Sequence, residues 1–476
     1  MIGSHHVVQP QPIVLTLRNT AAPSKATSFL HNRLYVPHSL SASNERDHRR
    51  TASPINSMPL KIIVCGGGIG GLTAAGYLRA HHNVTVLERG NLDFTINDYG
   101  LSVVSNAFNL LQKAGIKSEN LDSVVMTHLW MRSSSNEEIR TVHFDTRKEM
   151  GGAPSMMTRR ATLQSELLRF ATSTEFPGTP ATVVRGTQVT RVDTAEGKVW
   201  TEDGRSFEGD LIIGADGINS SVRAAVSDHD MPLNGVKLHD LLCFITRVPI
   251  ETIQAQPSLD YLADPASQAG LVSFHLPPQS SSPKRLLIYH TSPHEMQVLG
   301  YTSEQEFTEK FDSKKTAIIK DIPAERVVDE FSSEFSRNLV DLFKHNQIDA
   351  WRIRDIDTCE TWYRGKCVLI GDAAHAVTPH AGHGCNLTIE DAESLAYLLK
   401  DAKPSEDLTA TLEKFTSLRR ERARFVLRRS REMGNIQSEE DTKLEPISPA
   451  EFSRVMHSYQ GIEHALAAME PPASAP

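Results

Sequence analysis

The chain has 476 residues, enough for two intertwined domains with substantial cores, and its net charge of −8 with a pI near 6.2 argues against a polyanionic partner such as nucleic acid. Five cysteines, Cys65, Cys243, Cys359, Cys367 and Cys385, form an odd and dispersed set without a Cys-x-x-Cys pair, which excludes a redox dithiol and points to a reducing compartment. No uninterrupted apolar stretch is long enough to span a bilayer, so no transmembrane helix is expected.

Residues before Lys61 are rich in Ser, Pro, His and Asn and carry Arg18, Lys25, Arg33, Arg46, Arg49 and Arg50 against only Glu45 and Asp47. Residues 1–57 are therefore expected to be a disordered leader or an organelle transit segment, or to lie upstream of a start at Met58. The expected location is cytoplasmic, with a mitochondrial one as the alternative that a basic, Ser-rich leader allows.

The first folded segment reads Lys61 to Cys65, the turn Gly66-Gly67-Gly68-Ile69-Gly70-Gly71, an Ala/Leu-rich stretch from Leu72, and Asn83 to Leu87 ending in Glu88. A β run, a glycine turn, a helix and a second β run closing on an acid make the start of a βαβ nucleotide-binding unit. In such a unit Gly66 permits the tight turn, Gly68 lets backbone approach a pyrophosphate, and Gly71 allows close helix–strand packing. The first helical turn presents unpaired N–H groups and the positive end of the helix dipole, so it holds a pyrophosphate without a lysine, while Glu88 accepts from a ribose diol. This motif alone does not separate NAD from FAD.

Next comes Asp210 to Gly214, a short apolar strand, followed by Ala215-Asp216-Gly217 and a helix start for which Asn219 or Ser220 is the candidate N-cap. An acid just beyond a strand's carboxyl end stands where open α/β sheets bind ligands. From Pro232 to Ile356, alternating runs such as Cys243 to Val248 and Arg285 to Tyr289 predict strands, and residues 276–284 predict a hairpin tip or a flexible loop. The third motif is the buried strand Lys366 to Ile370, then Gly371-Asp372-Ala373-Ala374-His375, a small-residue loop, and a helix opened by Asn386. Glu390, Asp391 and Glu393 fall in its first turns, as the dipole prefers.

In combination and order, these three segments resemble the flavin-contacting motifs of group A FAD-dependent aromatic monooxygenases, the family of para-hydroxybenzoate and salicylate hydroxylases, with coverage from about Lys61 to about Gln437. The resemblance implies that Gly66, Gly68, Gly71 and Glu88 bind the ADP half of FAD, and that Asp216 and Gly217 lie near the pyrophosphate and the nicotinamide path. It places Asp372 on the ribityl chain, Gly382, Gly384, Cys385 and Asn386 beside the isoalloxazine, and Arg160 as a flavin-contacting arginine. The run Gly100 to Ala107 is similar to the family's strand-to-helix segment by the flavin. Pro379 resembles the proline whose carbonyl faces the reactive flavin carbon. The region between the second and third motifs is, in the family, a sheet roofing the substrate. There Arg247, Tyr261, His275 and Tyr289 are candidate substrate contacts, Arg247 because a guanidinium holds a phenolate or carboxylate. One departure is Gly382-His383-Gly384, where many members have Gly-Gln-Gly.

His375, His380 and His383 fall within one short loop, but no metal site is expected, since a metal would need fixed ligand geometry and supporting acids. Hydrogen bonding to flavin or substrate, or simple packing, are the open alternatives. The expected fold is mixed α/β: a Rossmann-like FAD-binding domain with the three motifs, interleaved with a β-sheet substrate domain and followed by C-terminal helices. The expected boundaries are 58–231 for the first part of the FAD-binding domain, with an inserted substrate-side segment, and 232–356 for the substrate sheet. Residues 357–437 carry the Gly-Asp motif and helices, and 438–476 a C-terminal helix and tail. The implied activity is NAD(P)H-consuming insertion of one oxygen atom from O2 into a phenolic or aromatic small molecule through a flavin C4a-hydroperoxide, with NADPH or NADH bound transiently. The alternative is a flavin-dependent reductase or dehydrogenase on the same scaffold. Pro379, Arg247 and Tyr289 are the expected catalytic-face residues.

Overall fold

The computed structural model describes residues 58–469 apart from 150–151, 228–234, 267, 309–315, 405, 438 and 440. The expected leader, residues 1–57, lies outside the described residues. A six-stranded sheet runs in the order Tyr363–Arg364, Cys367–Leu369, Leu211–Gly214, Lys61–Cys65, Asn83–Leu87 and Thr182–Val184. All neighbours are parallel except the edge hairpin of the first two. Its central strands, Cys367–Leu369, Leu211–Gly214 and Lys61–Cys65, are largely apolar and buried, because helices cover both faces, among them Ile69–Leu78, Arg160–Thr172 and Gly384–Leu399.

Register explains why three distant motifs meet. Cys65 pairs with both Leu87 and Gly214, and Gly214 pairs with Leu369. The residues that follow each strand, Gly66, Glu88, Asp216 and Asp372, are thereby brought to the same carboxyl edge of the sheet, where doubly wound folds open a crevice.

The second layer is an eight-stranded sheet ordered Ile318–Ile319, Asp349–Ile356, Val236–Pro249, Glu295–Thr302, Arg285–Ser292, Gly270–His275, His128–Ser133 and Glu138–His143. The last two strands come from within residues 58–231, and His128–Ser133 joins Gly270–His275 as the one parallel pair. Period-two alternation gives this sheet two faces. Phe244, Val272, Ile288 and Val298 pack with Phe331 and Phe343 on the far side, while Cys243, Tyr289, Leu299, Tyr301 and Ile353 form a separate cluster on the side facing the nucleotide-binding layer. The long helix Thr409–Gly434 and the helices Pro449–His457 and Ile462–Ala467 close the chain. No helix among the described residues is long and apolar enough to cross a membrane.

Candidate active site

The glycine turn shows three separate reasons for glycine. Gly66 has φ of +107°, and a Cβ there would lie 2.4 Å from the Ala215 carbonyl oxygen. A Cβ on Gly71 would lie 1.8 Å from the Gly66 oxygen, so Gly71 serves packing and does not face the crevice. At Gly68 a Cβ would meet nothing within 4 Å. That open space lies over the start of the Ile69–Leu78 helix, whose N-cap is Gly68 and whose first N–H groups receive no side-chain cap. It is a cradle for an anion. Glu88 closes the edge, accepting from the N–H of Gly67 at 2.5 Å and of Gly90 at 2.7 Å.

Asp216 lines the crevice, with its carboxylate engaged by its own turn. Its carboxylate accepts from the Ser220 hydroxyl at 2.5 Å and from the N–H groups of Ser221 and Val222 at 2.7 and 3.2 Å, so it caps the short helix Ser221–Val226. Ser220 is the N-cap residue, accepting from the Arg223 N–H. What this turn offers the crevice is the backbone of Gly217, at φ +78° with open space at its Cβ position. Asp372, in contrast, opens into the crevice, and among the described residues no protein donor binds its carboxylate. Enclosure by protein raises its carboxyl, while His375, Arg223 and Arg160 pull it back. Arg160 lines the crevice 5.7 Å from the Tyr99 ring, and Asp98 anchors its helix by accepting from the Ala161 N–H.

Behind the Gly-Asp loop lies a buried ionic network. Asp391 accepts from the Gly371 N–H at 3.0 Å, from His375 Nε2 at 2.6 Å and from Arg419 Nε at 2.8 Å. Arg419 and Arg422 also bind Glu390, which takes a further bond from the Asn106 amide. His375 and Arg419 hold the Asp391 carboxyl below its ordinary range in spite of burial, as Arg422 and Arg419 do for Glu390. Glu390 and Asp391 are therefore pairing groups inside the protein, not merely acids favoured by a helix dipole. Asn386 departs from the expectation too. It is fully buried, donates to the carbonyls of Ser102 and Gly382 at 3.1 and 3.0 Å and accepts from the Val104 N–H at 2.9 Å. It bolts the two flanking segments together and does not line the crevice. Gly382 at φ +66°, Gly384 and Cys385 do line it, and burial pushes the Cys385 thiol up to about 12.

The three loop histidines turn to different partners. His375 joins Asp391, His380 packs 5.3 Å from the Tyr301 ring, and His383 donates from Nδ1 to the Ala381 carbonyl and meets Phe452 edge-on at 4.8 Å. Burial lowers His380 to about 3 and His383 to about 4, so both are neutral at pH 7.

Crevice and sheet enclose one continuous cavity of about 1520 Å³, larger than a single small-ligand pocket. Register sorts its sheet wall into rows: Arg285, Tyr301 and Cys243; then Ser273, Leu287, Leu299 and Ile245; then Leu271, Tyr289 and Gln297. In the last row the Tyr289 hydroxyl donates to the Gly100 carbonyl at 2.9 Å and Gln297 Oε1 accepts from the Gly100 N–H at 2.5 Å. Tyr289 thus holds the strand Gly100–Val103 against the sheet, and only glycine permits this approach, since a Cβ on Gly100 would lie 2.2 Å from Thr291. Pro379 and His275 line the cavity, His275 bonded to Ser273 at 2.8 Å.

Arg247 and Tyr261 do not line it. Arg247 faces a separate cleft of about 230 Å³ covered by residues 95–98, with Asp98 at 3.7 Å and Glu295 at 3.8 Å. Alternation placed it on the correct face but not beyond the chamber's edge. Tyr261 donates to Asn136 and lies under Arg132, away from the cavity. Arg285 is one of the guanidinium groups lining the cavity, with Arg89, Arg160, Arg352 and Arg354; it donates to the Met433 carbonyl at 2.6 Å and lies 5.1 Å from the Tyr301 ring. Among the described residues no carboxylate pairs with it. The signal was available in the sequence, because Arg285 shares the parity of Leu287 and Tyr289 along one strand.

The family described as the FAD binding domain matches residues 60–430. The chain belongs to this family of FAD-dependent monooxygenases. It is similar to hispidin-3-hydroxylase of Neonothopanus nambi, 29% identical over 385 residues covering 78% of this chain and 88% of that one. It is similar also to 3-amino-4-hydroxybenzoate 2-monooxygenase PtmB3 of Streptomyces platensis, 28% identical over 80% of this chain and 89% of that one. Among solved structures, HpxO of Klebsiella pneumoniae in complex with FAD and uric acid superimposes with a TM-score of 0.63 at 22% identity, covering 86% of this chain and 95% of that one. The 2,6-dihydroxypyridine-3-hydroxylase of Arthrobacter nicotinovorans gives 0.62 at 18%, covering 83% and 96%.

The residues present fit FAD. The open space at Gly68 and the uncapped helix start suit the pyrophosphate, Glu88 has the crevice edge a ribose needs, and the unbonded carboxylate of Asp372 suits a polyol. Of the acids that the motifs single out, Glu88 and Asp372 stand at the crevice with room for a ligand, while the Asp216 carboxylate is taken up by its own turn.

Proposed function

We propose that the chamber takes a phenolic or related aromatic compound, apolar along its length and carrying an anionic or strongly accepting oxygen at the end that meets Arg285. FAD, when bound, supplies the redox chemistry between NAD(P)H and O2. The chain's own residues bind, orient and exclude water. Leu271, Leu287, Leu299, Ile245 and Ile353 give the ring an apolar wall. Arg285 carries the reading: a guanidinium with one carbonyl and one ring for company is costly to desolvate, and a phenolate or carboxylate from the substrate offsets that cost. The same attraction favours the ionised phenol, which makes the ring a better nucleophile toward an electrophilic oxygen. Tyr289 is not the group that removes the phenol's proton, because burial pushes its own phenol up and its hydrogen already goes to Gly100. Burial lowers the His275 imidazole from its ordinary value, and its Nε2 pairs with the Ser273 hydroxyl.

The relatives are named for hispidin and for an amino-hydroxybenzoate, and the latter carries both a phenol and a carboxylate. A panel of phenols, each paired with the analogue whose acidic group is methylated, tests the proposal through substrate-stimulated NAD(P)H oxidation. Arg285→Met is expected to raise KM for the acidic member by roughly 10–100-fold, the equivalent of one lost charge-assisted hydrogen bond. The methylated member should change little. Equal changes for both would contradict the assignment.

A further inference from the structure

The substrate-side wall runs well past the place where one ring meets Arg285. Arg285 and Tyr289 stand four residues apart on one face of a strand, Tyr289 pairs with Leu271, Leu271 with Leu129, and Leu129 with Val142. One register row therefore crosses four strands, and its last two residues belong to the strands that come from within residues 58–231. Four residues of rise and two strand spacings put the Cα of Leu129 about 16 Å from that of Arg285, and a third spacing puts Val142 at about 20 Å. A single ring held at Arg285 does not reach them.

That far end is an apolar lobe of the same cavity, lined by Leu129, Val142, Met126, Phe144 and Met157. Trp130, next to Leu129, turns to the far core, which fixes Leu129 on the chamber face. Met126 and Met157 pack with Leu271, and the N–H groups of Met126 and Phe144 are held by the carbonyls of Ser155 and Thr127 at 2.9 and 3.0 Å. Leu129, Val142, Met126 and Phe144 are nonetheless only partly buried, so apolar surface on this wall is left uncovered by protein. The groups that fit FAD stand at the edge of the other sheet, so covering this surface falls to a different ligand or to the far part of the substrate. Between Arg285 and the lobe the face presents Leu287, Ser273 and Leu271, with the Ser273 hydroxyl already tied to His275, a path that suits an uncharged spacer. Two thioethers and a phenyl ring give the lobe the soft, polarisable surroundings that favour an aromatic ring. Met131, two residues beyond Leu129 on the same face, is 36% exposed, so the lobe ends at the open edge of the sheet.

We infer that the substrate has two rings: an acidic phenolic ring at Arg285 and a second, uncharged aromatic ring, joined to it by a short spacer, in the lobe of Leu129, Val142, Met126, Phe144 and Met157. This rests on the chamber being the substrate site, as proposed above, and adds the length and end-group chemistry of what it takes. Burial of the second ring supplies binding energy remote from the reacting carbon, which orients the first ring.

The test uses full-length holoenzyme and three phenols of increasing length: phenol, 4-phenylphenol and 4-styrylphenol. Dissociation constants are read from the perturbation of the visible spectrum of bound FAD, and turnover from NAD(P)H oxidation. In the wild type 4-styrylphenol is expected to bind at least about tenfold tighter than phenol, the least that added apolar contact in a fitting pocket gives. Leu129→Trp, which fills the lobe, should abolish that gain and leave the constant for phenol unchanged. Val142→Thr, which keeps the side chain's shape and adds a hydroxyl, should reduce the gain several-fold, and it carries the same test if the tryptophan destabilises the sheet. Equal constants for phenol and 4-styrylphenol in the wild type, an undiminished preference in both variants, or equal losses for all three phenols would overturn the two-ring inference and leave the Arg285 assignment standing. A raised KM for NAD(P)H in Leu129→Trp with the phenol constants unchanged would give the lobe to the nicotinamide and overturn it as well. No response to any of the three phenols would overturn both readings together.

Discussion

Gly68 and Gly71 sit three residues apart in one turn and predict opposite failures. At Gly71 a methyl group would collide with the Gly66 carbonyl, so Gly71→Ala should lower the unfolding free energy by about 1–3 kcal/mol or more, visible in the melting temperature. At Gly68 the methyl group would enter empty space, so Gly68→Val should fold normally but carry little FAD in its visible spectrum. Stoichiometric FAD in that variant would remove the phosphate-cradle assignment. If the unbonded Asp372 carboxylate accepts from the cofactor's ribityl chain, Asp372→Ala should weaken FAD binding by about 1.5–3 kcal/mol. His383 adds a pH signature. Its folded-state pKa of about 4 lies below the ordinary value near 6.5, so the unfolded chain takes the proton first and stability falls as pH drops from about 6.5 to about 4. His383→Gln should reduce that slope by about one proton, measured by denaturant unfolding across the same range.

Among the elements, those with strong local signals were legible: the two flanking strands, the glycine turn, the Asp210 to Gly214 strand and the Gly-Asp loop all stand where their apolar runs and turn residues put them. What local signals do not carry is the partner at long range. Glu390 and Asp391 read as acids at a helix start, but their arginines, Arg419 and Arg422, lie about thirty residues on in another helix. Arg247 failed for a related reason, because alternation fixes the face of a strand and not which loop covers its end. Asn386 was expected at the cofactor and instead clamps two backbone segments, a role that only the fold reveals. The network's importance can be measured: Asp391→Asn leaves the buried Arg419 guanidinium and the His375 ring poorly matched and should cost about 3–5 kcal/mol in unfolding free energy, with flavin lost before the fold. Because the folded Asp391 carboxyl lies below its unfolded value, its contribution is complete above about pH 4 and disappears as pH falls through the folded value.

The two large sheets close on one cavity and are joined by the strand Gly100–Val103 of a smaller sheet, which Tyr289 and Gln297 hold from the substrate side and Asn386 from the flavin side. That shared strand makes flavin geometry and substrate geometry one problem. Disturbing Tyr289 should therefore alter both, and Tyr289→Phe is expected to lower turnover by about tenfold through misplacement while leaving the fold intact, read as reduced kcat with an unchanged melting temperature. Product formed under ¹⁸O2 from a phenolic substrate should gain one labelled atom per turnover, with NAD(P)H and O2 consumed one to one and the second oxygen leaving as water. Label arriving from H2¹⁸O, or turnover at full rate without O2, would contradict the monooxygenase account and favour a reductase on the same scaffold.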